Sequence, residues 1–142
     1  MGKVLAICIS EKKGTLKNEI SEAKFIEDFG IENDAHAGKW HRQVSLLEFN
    51  KIDEFRRKGA NVNFGEFGEN LVVQGIELYT LPIGQLIQLG DVILEVTQIG
   101  KKCHDKCQIY YQVGECIMPK NGIFTKVIKG GRVKVGDECN LI

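Results

Sequence analysis

Gln85-Leu-Ile-Gln-Leu89, Gly90-Asp91 and Val92-Ile-Leu-Glu-Val-Thr-Gln-Ile99 decide the fold. Two apolar runs flank a Gly-Asp pair, which is the text of a strand, a tight turn and a second strand. The same punctuation continues on both sides. Downstream, Gly122-Ile-Phe-Thr-Lys-Val-Ile128 is another strand, and Gly130-Gly131 and Gly136-Asp137 set off two closing ones, Arg132-Val-Lys-Val135 and 138–142. Upstream, Asn70-Leu-Val-Val-Gln74 is a short strand, and Gly75-Ile-Glu-Leu78 turns the chain toward Leu81-Pro-Ile-Gly84. Lys3-Val-Leu-Ala-Ile-Cys-Ile9 reads as the first strand, and its unbroken apolarity predicts burial on both faces. Residues 19–29 mix charged and apolar types and read as a second strand with a loop. Sixteen glycines against two prolines suit many tight turns. The expected fold is therefore mainly β, with one or two peripheral α-helices. A closed barrel is preferred to a sandwich because closure removes sheet edges.

One segment breaks the strand pattern. Leu46, Leu47, Phe49, Ile52 and Phe55 recur near the helical period. Ser45 with Glu48 has the spacing of a capping box. Arg56-Arg-Lys58 suits the negative end of a helix dipole, and Gly59 suits a helix stop. The expectation is a helix capped by Ser45.

With 142 residues the chain is expected to form a single domain over 1–142. Such a chain hides roughly two thirds of its unfolded surface and can build a core without staples. Lysine plus arginine and aspartate plus glutamate number 19 each, which argues against a general nucleic-acid binder. The longest apolar runs fall far short of the ~20 residues of a membrane span, and no signal peptide is visible. Five cysteines, an odd count, favour a reducing, cytoplasmic compartment with free or metal-bound thiols.

Two polar stretches concentrate the reactive residues. Gly30-Ile-Glu-Asn-Asp-Ala-His-Ala-Gly38 cannot be a regular element, and the nine residues from Asp34 to Arg42 hold Asp34, His36, Lys39, Trp40, His41 and Arg42. An Asp-x-His pair can orient an imidazole and select its free nitrogen. Arg42 offers a planar fork to a phosphate or carboxylate. The second stretch, Gly100-Lys-Lys-Cys-His-Asp-Lys-Cys-Gln-Ile-Tyr-Tyr-Gln-Val-Gly-Glu-Cys116, holds three of the five cysteines. Cys103 and Cys107 would share a face if helical. Lys101, Lys102 and Lys106 would favour thiolate, the nucleophilic and metal-binding form. Asn63-Phe-Gly-Glu-Phe-Gly-Glu-Asn70 is glycine-rich but lacks the Gly-Lys-Ser/Thr ending of a P-loop.

In order, Gly30–Gly38 with Arg42 and Ser45-Leu-Leu47, Phe67-Gly-Glu-Asn-Leu71, Gly75-Ile76, Leu81-Pro-Ile-Gly84, Leu89-Gly-Asp91, Cys103 after a strand, and Gly122 to Asp137 resemble the MOSC domain. That family is named for the C-terminal part of molybdenum cofactor sulfurases. The resemblance spans roughly Val4 to Ile142. It implies a β-barrel with helices at its margin. It also implies that Cys103 carries sulfur as a persulfide or meets molybdenum, in molybdenum cofactor biosynthesis or sulfuration. A molybdopterin ligand would have its phosphate held by Arg42, Lys39, Lys101, Lys102 and Lys120. Cys103, His36 and Asp34 would do the chemistry, the last two positioning a proton or the ligand. The implied partners are a pyridoxal-phosphate-dependent cysteine desulfurase and a molybdoenzyme or cofactor-synthesis protein. Pyridoxal phosphate belongs to the desulfurase, for which this chain is too short. The sequence departs from the family's Arg-x-Pro-Cys: Gly100-Lys-Lys-Cys103 stands there, and His104, Cys107 and Cys116 are added.

Those additions define an alternative. Cys103, His104, Cys107 and Cys116 are the ligand types of a zinc site, without catalysis. A third reading treats the cysteines as structural and the domain as a binding module.

Overall fold

The computed structural model describes residues 2–12, 17–59, 63–100 and 122–142. Among these residues, eleven strands are distributed over two sheets. They are β1 (Gly2–Ile9), β2 (Asn18–Ile20), β3 (Glu22–Ile26), β4 (Gly30–Ile31), β5 (Val44–Glu48), β6 (Leu71–Gln74), β7 (Leu86–Leu89), β8 (Val92–Ile99), β9 (Ile123–Lys129), β10 (Gly131–Lys134) and β11 (Glu138–Leu141). The larger sheet runs β11-β7-β8-β9-β5-β6-β1-β2, and β11 also pairs with β1. That last pairing closes seven strands into a barrel, with β2 hung on β1 beyond the seam. The mainly β barrel expected from the turn pattern is therefore the fold, and the strand–turn–strand unit around Gly90-Asp91 is the antiparallel pair β7–β8.

Closure is achieved along a single strand. Gly2 and Lys3 of β1 pair with Cys139 and Glu138, while Ile7 to Ile9, further along the same edge, pair with β2. The other edge of β1 pairs with β6, and a register shift between Val4 and Ala6 re-phases the strand there. Val4 and Ile7 consequently join one apolar cluster, and Ala6 and Cys8 join another. This is the burial on both faces that continuous apolarity predicts. The first cluster fills the barrel with residues such as Leu46, Leu71, Ile87, Leu94 and Val127. A small second sheet, β10-β3-β4, adds Phe25, Ile31 and Val133 to it.

The second cluster lies under α1 (Phe49–Arg57), the one α-helix among the described residues. Ile52 and Phe55 face Leu47, Phe67, Val72 and Phe124, and the Phe55 and Phe67 rings meet edge-to-face at 5.1 Å. Arg56 and Arg57 occupy the last turn, as dipole complementation favours.

The helix begins later than its sequence pattern suggests. Val44 to Glu48 form β5, all five residues buried between β6 and β9. Ser45 is thus a strand residue and not a cap, and Glu48 at the N-cap makes no capping bond through its side chain. Five residues can satisfy either period, and two flanking strands with open hydrogen-bonding edges decide for the sheet. β5–β6 is also the one parallel pair among the described strands, joined through α1.

Candidate functional site

Five loop or strand ends converge at one end of β1, β2, β5 and β6. Ser10 follows β1, Lys17 precedes β2, Asp34 and His36 lie in the loop before β5, Ser45 is the second residue of β5, and Asn70 precedes β6. Asp34 is at the centre, its side chain 0 % exposed. Its Oδ1 accepts from Lys17 Nζ at 2.6 Å and from the Ser10 backbone N–H at 3.1 Å. Its Oδ2 accepts from Asn70 Nδ2 at 3.1 Å. Asn70 also donates to Cys8 O at 3.0 Å, and its own Oδ1 accepts from the Ser45 backbone N–H at 3.0 Å. Ser45 Oγ accepts from the Asn70 backbone N–H at 3.0 Å, so the start of β5 is tied to the residue that precedes β6.

Among the described residues, Asp34 is joined to His36 through a third side chain. Lys17 stands between them, with Nζ 3.0 Å from His36 Nδ1. Lys17 escaped the sequence reading because a lysine beside Lys12 and Lys13 reads as solvated charge. The clearest local signal was Gly65 in the Phe64-Gly-Glu-Phe-Gly loop. At φ +94° its missing side chain lets Lys17 O approach to where a Cβ would stand at 2.2 Å.

Arg42 belongs to a second group. Its Nε donates to Gln98 Oε1 at 3.0 Å, and the guanidinium lies over the Phe124 ring, 5.0 Å from the centroid. Gln98 Oε1 also receives His41 Nε2 at 3.0 Å, which makes that nitrogen the protonated one. The Gln98 amide then donates to Gly100 O at 2.8 Å. Gly100 N donates to Gly122 O at 2.6 Å, so the ends of β8 and β9 are joined where Arg42 is anchored. No carboxylate among the described residues pairs with the remaining fork of Arg42. Lys39 is exposed, and Trp40 donates from Nε1 to His36 O at 2.8 Å, holding the loop between the two groups.

Lys101, Lys102, Cys103, His104, Cys107, Cys116 and Lys120 lie outside the described residues, and so does the expected shared face of Cys103 and Cys107. Among the described residues no group of three or more histidine, cysteine, aspartate or glutamate side chains could hold a metal ion. No helix among them is long and apolar enough to cross a membrane.

The two described cysteines are chemically quiet. Burial pushes the Cys8 thiol up to about 12, helped by the charges of Glu69 and Glu19, and burial alone does the same for Cys139. A thiol with that acidity has almost no thiolate at neutral pH. Alkylation of the native, reduced protein with iodoacetamide should leave the peptides carrying Cys8 and Cys139 unmodified, whereas labelling in denaturant should modify both. Fast labelling of either in the native protein would show that its burial is incomplete.

A closed β-barrel with a flanking helix and a polar cluster at one end is the class these observations define. The MOSC domain model matches residues 33–140, and the chain belongs to that family. The family is one related to the molybdenum cofactor. No curated protein matches the chain. Among solved structures, YuaD from Bacillus subtilis superposes with a TM-score of 0.80 at 19 % identity, covering 98 % of this chain and 94 % of its own. YiiM from Geobacillus stearothermophilus gives 0.73 at 16 % identity, covering 100 % and 75 %, and YiiM from Escherichia coli gives 0.67 at 18 %, covering 99 % and 69 %. At these identities the likeness is one of fold.

Proposed function

We propose that the protein serves molybdenum cofactor biosynthesis or sulfuration, as a sulfur carrier through Cys103 or as a binder of molybdopterin. The observation that carries this reading is the anchoring of Arg42 at Gly100 through Gln98. An arginine stacked on Phe124, its fork paired with no carboxylate among the described residues, is suited to a phosphate. Cys103 follows Gly100 by three residues, so ~11 Å of extended chain is the most that separates them.

Arg42 and Lys39 would hold the pterin phosphate, with Lys101, Lys102 and Lys120 contributing from the segment that carries Cys103. When bound, the cofactor supplies a metal centre for oxygen- or sulfur-atom transfer. The sulfur step belongs to the protein. The Cys103 thiolate attacks the terminal sulfur of a donor persulfide, the donor's S–S bond breaks, and the donor cysteine leaves as thiolate. Net oxidation is zero, and Cys103 holds the sulfane sulfur. Pyridoxal phosphate enters only through a separate cysteine desulfurase as that donor, and a molybdoenzyme or cofactor-synthesis protein is the acceptor. Such an exchange takes place in a reducing compartment such as the cytoplasm.

The test is native mass spectrometry of protein incubated with a desulfurase and cysteine, with metal analysis of the same sample. The wild-type protein should gain ~32 Da per sulfur, and Cys103→Ser should gain none. Arg42→Gln should keep the adduct but weaken molybdopterin binding by roughly tenfold to a hundredfold, the worth of a charge-assisted contact. An adduct that persists in Cys103→Ser, or stoichiometric zinc without any adduct, would overturn the reading; the latter would assign Cys103, His104, Cys107 and Cys116 to a metal module.

A further inference from the structure

Lys17 is 1 % exposed in its side chain and makes no contact with solvent that could satisfy its charge. Its ammonium has three hydrogens and no lone pair. Among the described residues, three acceptors surround Nζ: Asp34 Oδ1 at 2.6 Å, His36 Nδ1 at 3.0 Å and Ser10 Oγ at 3.3 Å. Donor and acceptor counts therefore match, one hydrogen to each. A ring nitrogen that accepts a hydrogen bond cannot carry a proton itself. An ammonium facing Nδ1 thus admits one neutral form of the imidazole, with its hydrogen on Nε2.

We infer that Lys17 is a positioning residue that locks His36 in the Nε2–H tautomer, so that His36 acts as a hydrogen-bond donor and not as a base. The contrast with a direct carboxylate–histidine pair makes the point. A carboxylate on Nδ1 takes a hydrogen from it and leaves the Nε2 lone pair free to accept protons. Here the carboxylate of Asp34 is turned onto Lys17, and the lysine inverts the polarity passed to the ring. Asp34 holds the ammonium in place, aided by Asn70 and the Ser10 N–H, which hold the carboxylate from behind. Whatever faces Nε2, from the protein or from a ligand, receives a hydrogen. A ligand that reaches His36 there must present an acceptor, an anionic oxygen or sulfur, and cannot lose a proton to it.

The tautomer rests on the geometry around Lys17 alone. Only the identity of the ligand rests on the function proposed above, so the two are tested separately. Long-range ¹H–¹⁵N correlation of histidine-labelled wild-type protein reads the tautomer directly, with His36→Gln to assign the signal. At neutral pH the His36 ring should show a protonated Nε2 and an unprotonated Nδ1. An Nδ1–H ring, or an imidazolium, would overturn the inference whether or not Cys103 carries sulfur. Lys17→Arg keeps a cationic donor and should preserve the signature. Lys17→Met combined with Asp34→Asn removes both charges without stranding either, and should release the ring to populate the Nδ1–H form. An unchanged signature in that double variant would remove Lys17 from the role.

Discussion

Glu69→Gln is expected to stabilise the protein by about 3 kcal/mol above pH 7 and to change little near pH 4. Glu69 is wholly buried beneath the loop that precedes β6. Its Oε1 accepts from the Phe67 backbone N–H at 3.1 Å, and its Oε2 is buried without a partner among the described residues. Burial raises the carboxyl from 4.5 to about 7, against the pull of the loop's backbone N–H groups. A folded state that binds its proton more tightly than the unfolded chain is favoured at low pH. Below 4.5 both states hold the proton and Glu69 costs nothing. As pH rises through the interval to about 7 the unfolded chain ionises first, and stability falls. At about 1.4 kcal/mol per pH unit, that interval amounts to about 3 kcal/mol. Glutamine retains the acceptor for Phe67 and cannot ionise. Urea denaturation of both proteins across pH 4 to 9 checks this: the two stability curves should coincide in acid and diverge toward neutrality. Parallel curves would mean that the carboxylate finds a partner when it ionises.

The second large effect comes from separating Lys17 and Asp34. Asp34→Ala leaves a buried ammonium without its counter-charge, strands the Ser10 N–H and leaves the Asn70 amide with Cys8 O alone. Breaking one half of a buried pair costs about 3–5 kcal/mol. That is a substantial share of the 5–15 kcal/mol that typically holds a domain together. Lys17→Met should cost a similar amount by stranding the carboxylate. The Lys17→Met/Asp34→Ala protein should lose much less than the two single losses added, because the expense lies in the unpaired charge. Denaturation midpoints of the four proteins form the cycle. Strict additivity would mean that the two residues do not act as a pair.

How far the sequence carries depends on whether the deciding interactions are local. The barrel was legible because Gly90-Asp91, Gly130-Gly131 and Gly136-Asp137 mark turns through their own backbone preferences, and the intervening runs are β-rich. Ser45 was misread because Ser-Leu-Leu-Glu-Phe satisfies a helical period and a capping box, while the edges of β6 and β9, which claim it, are distant in sequence. Asp34, His36 and Arg42 stood out by their density in one loop. Lys17, Asn70 and Gln98 did not, since each acquires its role from a partner contributed by another element. A buried lysine looks like any other lysine until the fold surrounds it.

The seam of the barrel has a kinetic consequence. Gly2 and Lys3 meet Glu138 and Cys139, so the pairing that seals the barrel joins residues separated by nearly the whole of the described chain. Contacts of that separation form late, because ordering the intervening chain costs entropy before the contact returns anything. During synthesis β1 can pair with β2 as soon as both have emerged, but its opening residues must wait for β11. Until then the growing chain carries an open strand edge bearing Val4 and its neighbours, which is a template for pairing with a second chain. Aggregation of the nascent protein should thus be governed by how long that edge stays unpaired, and slower elongation through residues 122–142 should worsen it even though the finished barrel presents no such edge there.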